Sequence, residues 1–352
     1  MTLDDIDTPA VLIDLAKAEA NLKRAQDYAD QNGLTLRPHI KTHKLVRFAR
    51  RQVELGAAGI TCQKIGEAEV MADGGLTDIL LPYNILGASK LERLKALARR
   101  VTLKVTADSA ETVEGYSAAF AGEAEPLTVL VECDTGGGRC GVQSAAEAVA
   151  LAKTISAAKG LRFGGLMTYP AKGGTEASNR WLAEARRLLE AAGLSPTVVT
   201  TGGTPDLWRA AEVSAANEYR PGTYIYLDRF QVAEGVGTVD ECALTVLATV
   251  VSRPTETRAI LDTGSKALTS DLLGMEGFGL VLEYPDAKLV SLSEEHGTLD
   301  LTNSAAKPKV GERVRILPNH CCPVTNLFDE VVLVHPGGEV EIAPVDARGR
   351  LR

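Results

Sequence analysis

From about residue 35 the chain alternates short apolar runs with longer stretches in which apolar residues recur every three or four positions. Runs at 35–41, 59–63, 78–83, 101–106, 127–133, 161–169 and 197–201 predict strands, with a last one near 224–227. The stretches between them read as helices. At 145–159 alanines and leucines fall at helical spacing, and at 177–192 Leu182, Ala185, Leu188 and Leu189 form one apolar stripe. Gly56, Gly74, Gly160 and Gly193 follow such stretches, where helices end on a left-handed residue. Eight strand–helix units predict an α/β fold, a (β/α)8 TIM-type barrel. A doubly wound open sheet shares that periodicity, which does not report closure. After Gln231 the rhythm changes: 244–252, 257–262, 289–292 and 313–317 read as strands with turns and little helix between them. The predicted organisation is a barrel over 9–230 and a mostly β C-terminal domain over 231–352, with 1–8 a candidate addition to the second.

Composition narrows the class. With 352 residues, 45% hydrophobic and 24% charged, the chain is globular rather than disordered. A net charge of −8 speaks against non-specific nucleic-acid binding and against a polybasic membrane surface, but leaves small anionic substrates open. No run approaches the roughly 18 apolar residues that span a bilayer, and the start, MTLDDIDTPA, has no apolar stretch of signal-peptide length. The six cysteines are sparse and unpatterned, so a reduced, cytoplasmic protein without a disulfide framework is expected.

Barrels of this kind carry their chemistry at the carboxyl ends of the strands. The first run ends in Arg37-Pro38-His39-Ile40-Lys41-Thr42-His43-Lys44. A basic surface turn is the plain alternative. Lys41, ending a strand whose residues alternate sides, would instead point into the barrel mouth, where desolvation and nearby cations favour a Schiff-base lysine. A phosphate site built from the loops after strands 7 and 8 is the other part needed. Those loops are Thr201-Gly202-Gly203-Thr204-Pro205 and Arg220-Pro221-Gly222-Thr223-Tyr224, whose glycines and hydroxyls suit a phosphate cradle. Run 127–133 is followed by Asp134-Thr135-Gly136-Gly137-Gly138-Arg139-Cys140-Gly141, which satisfies the glycine spacing of a dinucleotide fingerprint but lies mid-chain. The readings for Arg139 are a donor to a cofactor ring and a surface arginine on a tight turn. In Pro318-Asn319-His320-Cys321-Cys322-Pro323, His320 and Cys322 are two apart and share one side of an extended backbone. Imidazole plus thiolate is a ligand pair for zinc or a similar ion, with positions left for a substrate oxygen. The alternative is two buried small residues beside a satisfied histidine. Cys321 is expected to point away. His39 and His43 flank Lys41, while His296 and His335 read as turn residues, His296 with a proton-transfer alternative.

At these residues the chain resembles the D-threonine aldolase and D-serine dehydratase family, pyridoxal-phosphate enzymes with an alanine-racemase-like barrel. The similar motifs are Asp7-Thr8-Pro9, Arg37 to Lys44, Cys62-Gln63-Lys64, Arg139-Cys140-Gly141-Val142, the two glycine loops, Ser293-Glu294-Glu295-His296-Gly297 and Pro318 to Cys322. The resemblance implies pyridoxal 5'-phosphate on Lys41, contacted by Gln63, Arg139, Tyr169, Thr201, Gly203, Thr204, Gly222, Thr223 and Tyr224. It also implies a divalent metal (zinc, manganese or cobalt) on His320 and Cys322, a homodimer, and small D-configured β-hydroxy amino acids as substrates. Two positions depart from it. Aldolases of the family often carry a histidine after the tyrosine of strand 6, and here Pro170 follows Tyr169. Cys322 is the ligand type of the dehydratases, whereas Thr325-Asn326-Leu327-Phe328-Asp329 is more aldolase-like. The expectation is a lyase that cleaves D-threonine to glycine and an aldehyde. The alternative is a D-serine or D-threo-3-hydroxyaspartate dehydratase that releases ammonia and a 2-oxo acid. A non-catalytic cofactor carrier would need neither the second domain nor the His320/Cys322 pair.

Overall fold

The computed structural model describes residues 1–352. Its contacts divide the chain into two compact units, one of Ala25–Lys41, Val46–Gly222 and Arg350–Arg352, the other of Met1–Arg24, Thr42–Leu45 and Thr223–Gly349.

The first unit is a parallel barrel. After β1 (Ala10–Asp14) and α1 (Leu15–Gln31), strands and helices alternate: β2 (Thr35–Leu36), α2 (Val46–Glu54), β3 (Ile60–Thr61), α3 (Ile65–Asp73), β4 (Asp78–Leu81) and α4 (Ala88–Ala98). The series continues through β5 (Thr102–Ala107), α5 (Ala110–Phe120), β6 (Leu127–Cys133), α6 (Ala145–Ala157), β7 (Leu161–Thr168), α7 (Thr175–Ala191), β8 (Val198–Thr201) and β9 (Glu218–Tyr219). The eight strands β2 to β9 pair in parallel in the order β2-β9-β8-β7-β6-β5-β4-β3. A parallel bridge between His39 and Thr61 joins the two ends, so the sheet closes. Leu80, Leu130 and Met167, from β4, β6 and β7, fill one layer of the interior with Val198 beside them. Outside, α7 buries Leu182, Ala185 and Leu189 of the predicted stripe together with Thr175 and Ser178, while Leu188 is only half-buried. Ser109 and Ser144 cap α5 and α6 by accepting the N–H groups of Thr112 and Glu147.

Two strand expectations are corrected. The eighth strand is Glu218–Tyr219, and the apolar run at 224–227 folds instead as a 3₁₀ turn at Thr223–Ile225. Leu227 there has φ +53°, which no strand tolerates. The first strand is regular only over Thr35–Leu36, and Lys41 lies in the turn that follows rather than on a strand. Pro38 has no N–H, so the ladder there continues only through its carbonyl, which accepts from Thr61.

The second unit carries the 3₁₀ turn, α8 (Arg229–Ala233), β10 (Leu244–Thr255), β11 (Arg258–Leu261), β12 (Gly279–Val281), β13 (Lys288–Leu292), β14 (Gly297–Asp300), β15 (Arg313–Pro318), α9 (Cys321–Leu327), β16 (Glu330–Val334) and β17 (Val340–Pro344). Its nine-stranded sheet runs β11-β14-β13-β12-β15-β10-β1-β16-β17, and β10 also pairs with β11, closing that end into a ring. β1 enters this sheet between β10 and β16, with Ile6, Ala10, Leu12, Leu247 and Val332 packed together. No helix is long and apolar enough to cross a membrane, and none of the six cysteines forms a disulfide.

Candidate active site

In the barrel, the residues singled out in the sequence gather at the carboxyl ends of the strands. Lys41 is half-buried, and its backbone N–H donates to His39 Nδ1 at 3.3 Å. An accepting Nδ1 leaves the proton of a neutral imidazole on Nε2, which then donates to Gln63 Oε1 at 3.0 Å. The Gln63 amide in turn faces the Pro82 carbonyl at 3.4 Å. One chain of contacts thus fixes the Lys41 turn and the orientation of Gln63 after β3.

The loops after β8 and β9 meet. The Gly222 N–H donates to Thr204 Oγ1 at 3.2 Å, and the Tyr219 hydroxyl donates to the Gly203 carbonyl at 2.7 Å. Gly202 has φ +135°, and a Cβ there would lie 2.7 Å from the Arg220 nitrogen, so this position requires glycine. A Cβ on Gly203 would touch the Tyr169 ring at 3.3 Å. The Arg139 guanidinium lies 4.9 Å from the centroid of the same ring, so Tyr169 is in contact with both Arg139 and the Gly203 loop. Thr201 Oγ1 is buried without a hydrogen-bond partner. A buried hydroxyl is costly unless something bonds it, and a phosphate or its water would. The barrel therefore fits pyridoxal phosphate: a lysine on the first loop, an orphaned hydroxyl, and a glycine cradle at the loops where phosphate is held. The glycine run after β6 does not fit a dinucleotide. Its Gly136 and Gly138 N–H groups donate to Asp134, whose carboxyl the Gly138 bond holds below the usual range.

Arg220 is a residue the sequence reading treated only as part of a loop. It is fully buried, donates from Nε to Thr200 Oγ1 at 2.9 Å and from Nη2 to the Thr168 carbonyl, and burial pushes its pKa down to about 10. Glu132, buried at the end of β6, is raised above the usual carboxyl range by desolvation, with Arg139 opposing. A buried cation and a buried carboxyl on the barrel interior have no signature in strand spacing.

The second unit holds the other candidates. Thr223 and Tyr224, expected beside the phosphate, belong to it: Tyr224 is buried, and Thr223 Oγ1 lies 3.6 Å from Cys322 Sγ. Thr42 Oγ1 lies 3.2 Å from the same sulfur. His320 and Cys322 are neighbours, close enough for Cys322 to raise the His320 pKa. The backbone is not extended as expected: His320 is the N-cap of α9 and Cys322 its second residue. Cys321 is buried, its N–H donating to Asp228 Oδ2 at 3.0 Å. Asp228 also caps α8 through Gln231, and burial pushes its pKa up to about 6.

Asp271 was missed. Its Oδ2 is 2.7 Å from His320 Nδ1, leaving Nε2 for the Cys322 side. For His320, burial lowers the pKa but Cys322 and Asp271 outweigh it, and the value rises to about 9. The loop bearing Asp271 is fastened by buried Asn319, whose amide donates to the Asp271 and Gly277 carbonyls at 3.1 and 2.8 Å. Arg229 joins it, donating to the Glu276 carbonyl and to Asn319 Oδ1. A carboxylate on one imidazole nitrogen with a thiol at the other is the arrangement of a metal-binding histidine. No third histidine, cysteine or carboxylate completes a cluster. The donor set fits an ion with open positions, not a closed structural site.

Residues 13–229 match the alanine racemase N-terminal domain family, and 243–334 match the putative serine dehydratase domain. D-threonine aldolase of Arthrobacter sp. is 34% identical over 98% of this chain and 93% of its own. The 3-hydroxy-D-aspartate aldolase of Paracoccus denitrificans is 33% identical over 99% and 94%. Among solved structures, D-threonine aldolase from Filomicrobium marinum superposes with a TM-score of 0.93 at 34% identity, covering 100% of this chain and 98% of that one. D-threo-3-hydroxyaspartate dehydratase from Delftia sp. HT23 gives 0.89 at 32%, covering 97% and 98%.

Proposed function

We propose, for a chain that belongs to the alanine-racemase-like family of D-threonine aldolases and serine dehydratases, that it is a lyase splitting D-threonine and related D-β-hydroxy amino acids into glycine and an aldehyde. The observation that carries this reading is the coexistence of the Lys41 and glycine-loop constellation with an imidazole–thiol pair backed by Asp271.

Lys41 would hold pyridoxal 5'-phosphate through its amine, with Thr201, Gly203, Thr204, Gly222, Thr223 and Tyr224 around the phosphate and Gln63, Arg139 and Tyr169 along the ring. The bound cofactor supplies an electron sink for charge developing at the substrate Cα. His320 and Cys322 would hold a divalent ion (zinc, manganese or cobalt), which supplies Lewis acidity toward the β-hydroxyl oxygen. The protein does the rest. The His39–Gln63 contact locks the loop bearing Lys41. Arg139 over Tyr169 offers a cation beside the glycine cradle. Asp271 accepts the Nδ1 proton of His320 and orients the ring, so that an ion would take the place of the Nε2 proton on the Cys322 side. In the net reaction the β-hydroxyl loses its proton, the Cα–Cβ bond breaks, the aldehyde leaves, and Cα takes up a proton to become glycine.

Dehydration is the second reading, favoured by Cys322 and by the match of 243–334 to the serine dehydratase domain. It would use the same residues on a substrate turned to present Cα–H instead of Cα–Cβ. A homodimer in the cytoplasm completes the proposal. The test is chelation of purified protein alongside Lys41→Ala. Chelation is expected to abolish turnover while the visible absorption band of bound cofactor survives, and Lys41→Ala to lose both. Full turnover after chelation would remove the metal from the account; an unchanged band in Lys41→Ala would remove Lys41.

A further inference from the structure

The loop that carries Arg139 closes on the strand it leaves. The Val142 N–H donates to the Glu132 carbonyl at 2.9 Å, and the Asp134 N–H donates to the Val142 carbonyl at 3.1 Å, so residues 132–142 are pinned at their neck. Gly141 sits in that neck with φ +119°, and a Cβ there would lie 2.4 Å from the Asp134 nitrogen. The closure returns Arg139, three residues before Val142, to the end of β6 that carries Glu132.

Three carboxyls surround this loop, and two are committed to its backbone. Asp134 accepts the N–H groups of Gly136 at 2.9 Å and Gly138 at 3.1 Å, and Asp108 accepts that of Gly141 at 3.0 Å. Glu132 is the third. It lies two residues beyond Leu130 on the interior face of β6, it is buried, and its hydrogen bond is a long one, from the Thr106 hydroxyl at 3.3 Å. Such a carboxyl has given up most of its hydration for little in return. Burial raises its pKa, and among the charges that oppose this rise the Arg139 guanidinium is the strongest, ahead of Arg220. The two cations differ in the same way. Arg220 is bound to Thr200 Oγ1 and to the Thr168 carbonyl. Arg139 has the Tyr169 ring 4.9 Å from its guanidinium and no carboxylate in salt-bridge contact. A long side chain on a loop of glycines must be ordered before it can serve a ligand, and that ordering subtracts from affinity.

We propose that Glu132 is a positioning residue for Arg139: across the neck of the loop its carboxylate holds the guanidinium in the barrel mouth, turned to meet the cofactor. The inference rests on the reading of Arg139 as a cofactor contact and adds the group that orients it. Because Glu132 acts through Arg139, its removal has no effect once Arg139 is gone.

Equilibrium dialysis of the holoenzyme against graded pyridoxal 5'-phosphate, followed by its visible absorption, gives a cofactor Kd without turnover. The wild type, Glu132→Gln, Arg139→Met and the double variant form the cycle. Glu132→Gln keeps the shape of the side chain and is expected to raise Kd about tenfold, the loss of one charge-assisted contact. Glu132→Asp, which keeps the charge, recovers most of that loss. Arg139→Met raises Kd at least as much, and the double variant stays within about twofold of Arg139→Met alone. Losses that multiply in the double variant would place the effect of Glu132 in the barrel core and overturn the proposal, as would a wild-type Kd in Glu132→Gln. A wild-type Kd in Arg139→Met would remove Arg139 from the cofactor site, and this inference with it. Urea unfolding checks that each variant folds. If the amide is not tolerated, Glu132→Leu, an apolar side chain of similar size, takes its place in the cycle with the same expected and refuting results.

Discussion

Removing the Asp271 carboxylate is the sharpest probe of the His320–Cys322 pair. Asp271 Oδ2 stands 2.7 Å from His320 Nδ1, the length of a charge-assisted bond. It decides which ring nitrogen is left for an ion. In Asp271→Ala the imidazole can turn or shift its proton to Nε2, and both changes remove a lone pair from the Cys322 side. Loss of such an outer partner costs 10- to 100-fold in metal affinity. The Asp271 side chain is 45% exposed, so water replaces part of the bond and the low end applies. The expected loss is about tenfold, or about 1.4 kcal/mol. Asp271→Asn, still an acceptor through its amide oxygen, is expected to recover most of it. The assay is competitive titration of zinc against a chromophoric chelator, which reads binding without turnover. Cys322→Ala gives the reference for a lost ligand. Wild-type affinity in Asp271→Ala would refute the reasoning, since the carboxylate would then have no part in presenting His320.

Two further outcomes follow from the packing. Gly202→Ala places a Cβ 2.7 Å from the Arg220 nitrogen at φ +135°, and is expected to cost about 1–3 kcal/mol in denaturant unfolding; unchanged stability would mean the β8 loop adjusts freely. The Asp228 pKa is raised by burial to about 6 from 3.8, so its contribution to stability is present below pH 4 and is lost as pH rises through 6. In metal-stripped protein the unfolding free energy of wild type relative to Asp228→Asn is therefore expected to fall by up to about 3 kcal/mol between pH 4 and 7, and a pH-independent difference would contradict the burial argument.

The barrel was legible where strands are buried on both faces. Run 127–133 became β6 without adjustment, because a parallel strand enclosed by helices is apolar throughout. The eighth strand was not, because Glu218–Tyr219 is two residues long and begins with a carboxylate that pairs with Arg37 inside the barrel. The apolar run after it owes its apolarity to burial of Tyr224, Ile225, Tyr226 and Leu227, not to a sheet. At the site, residues on strand ends and glycine loops could be named from spacing. Asp271 could not: it lies 49 residues before His320, in a loop whose position depends on Asn319 and Arg229. Arg220 was visible as a letter in a glycine loop, but its burial against Thr200 and the Thr168 carbonyl belongs to neighbouring strands. For His320 and Cys322 a helix start rather than an extended backbone sets the side chains, which a spacing of two does not report.

The central claim is that this chain breaks the Cα–Cβ bond of a D-β-hydroxy amino acid. Product analysis after incubating holoenzyme with D-threonine reads that bond directly. The account predicts glycine and acetaldehyde in equal amounts, with no ammonia released. Formation of 2-oxobutanoate and ammonia would contradict it and make the same residues those of a dehydratase.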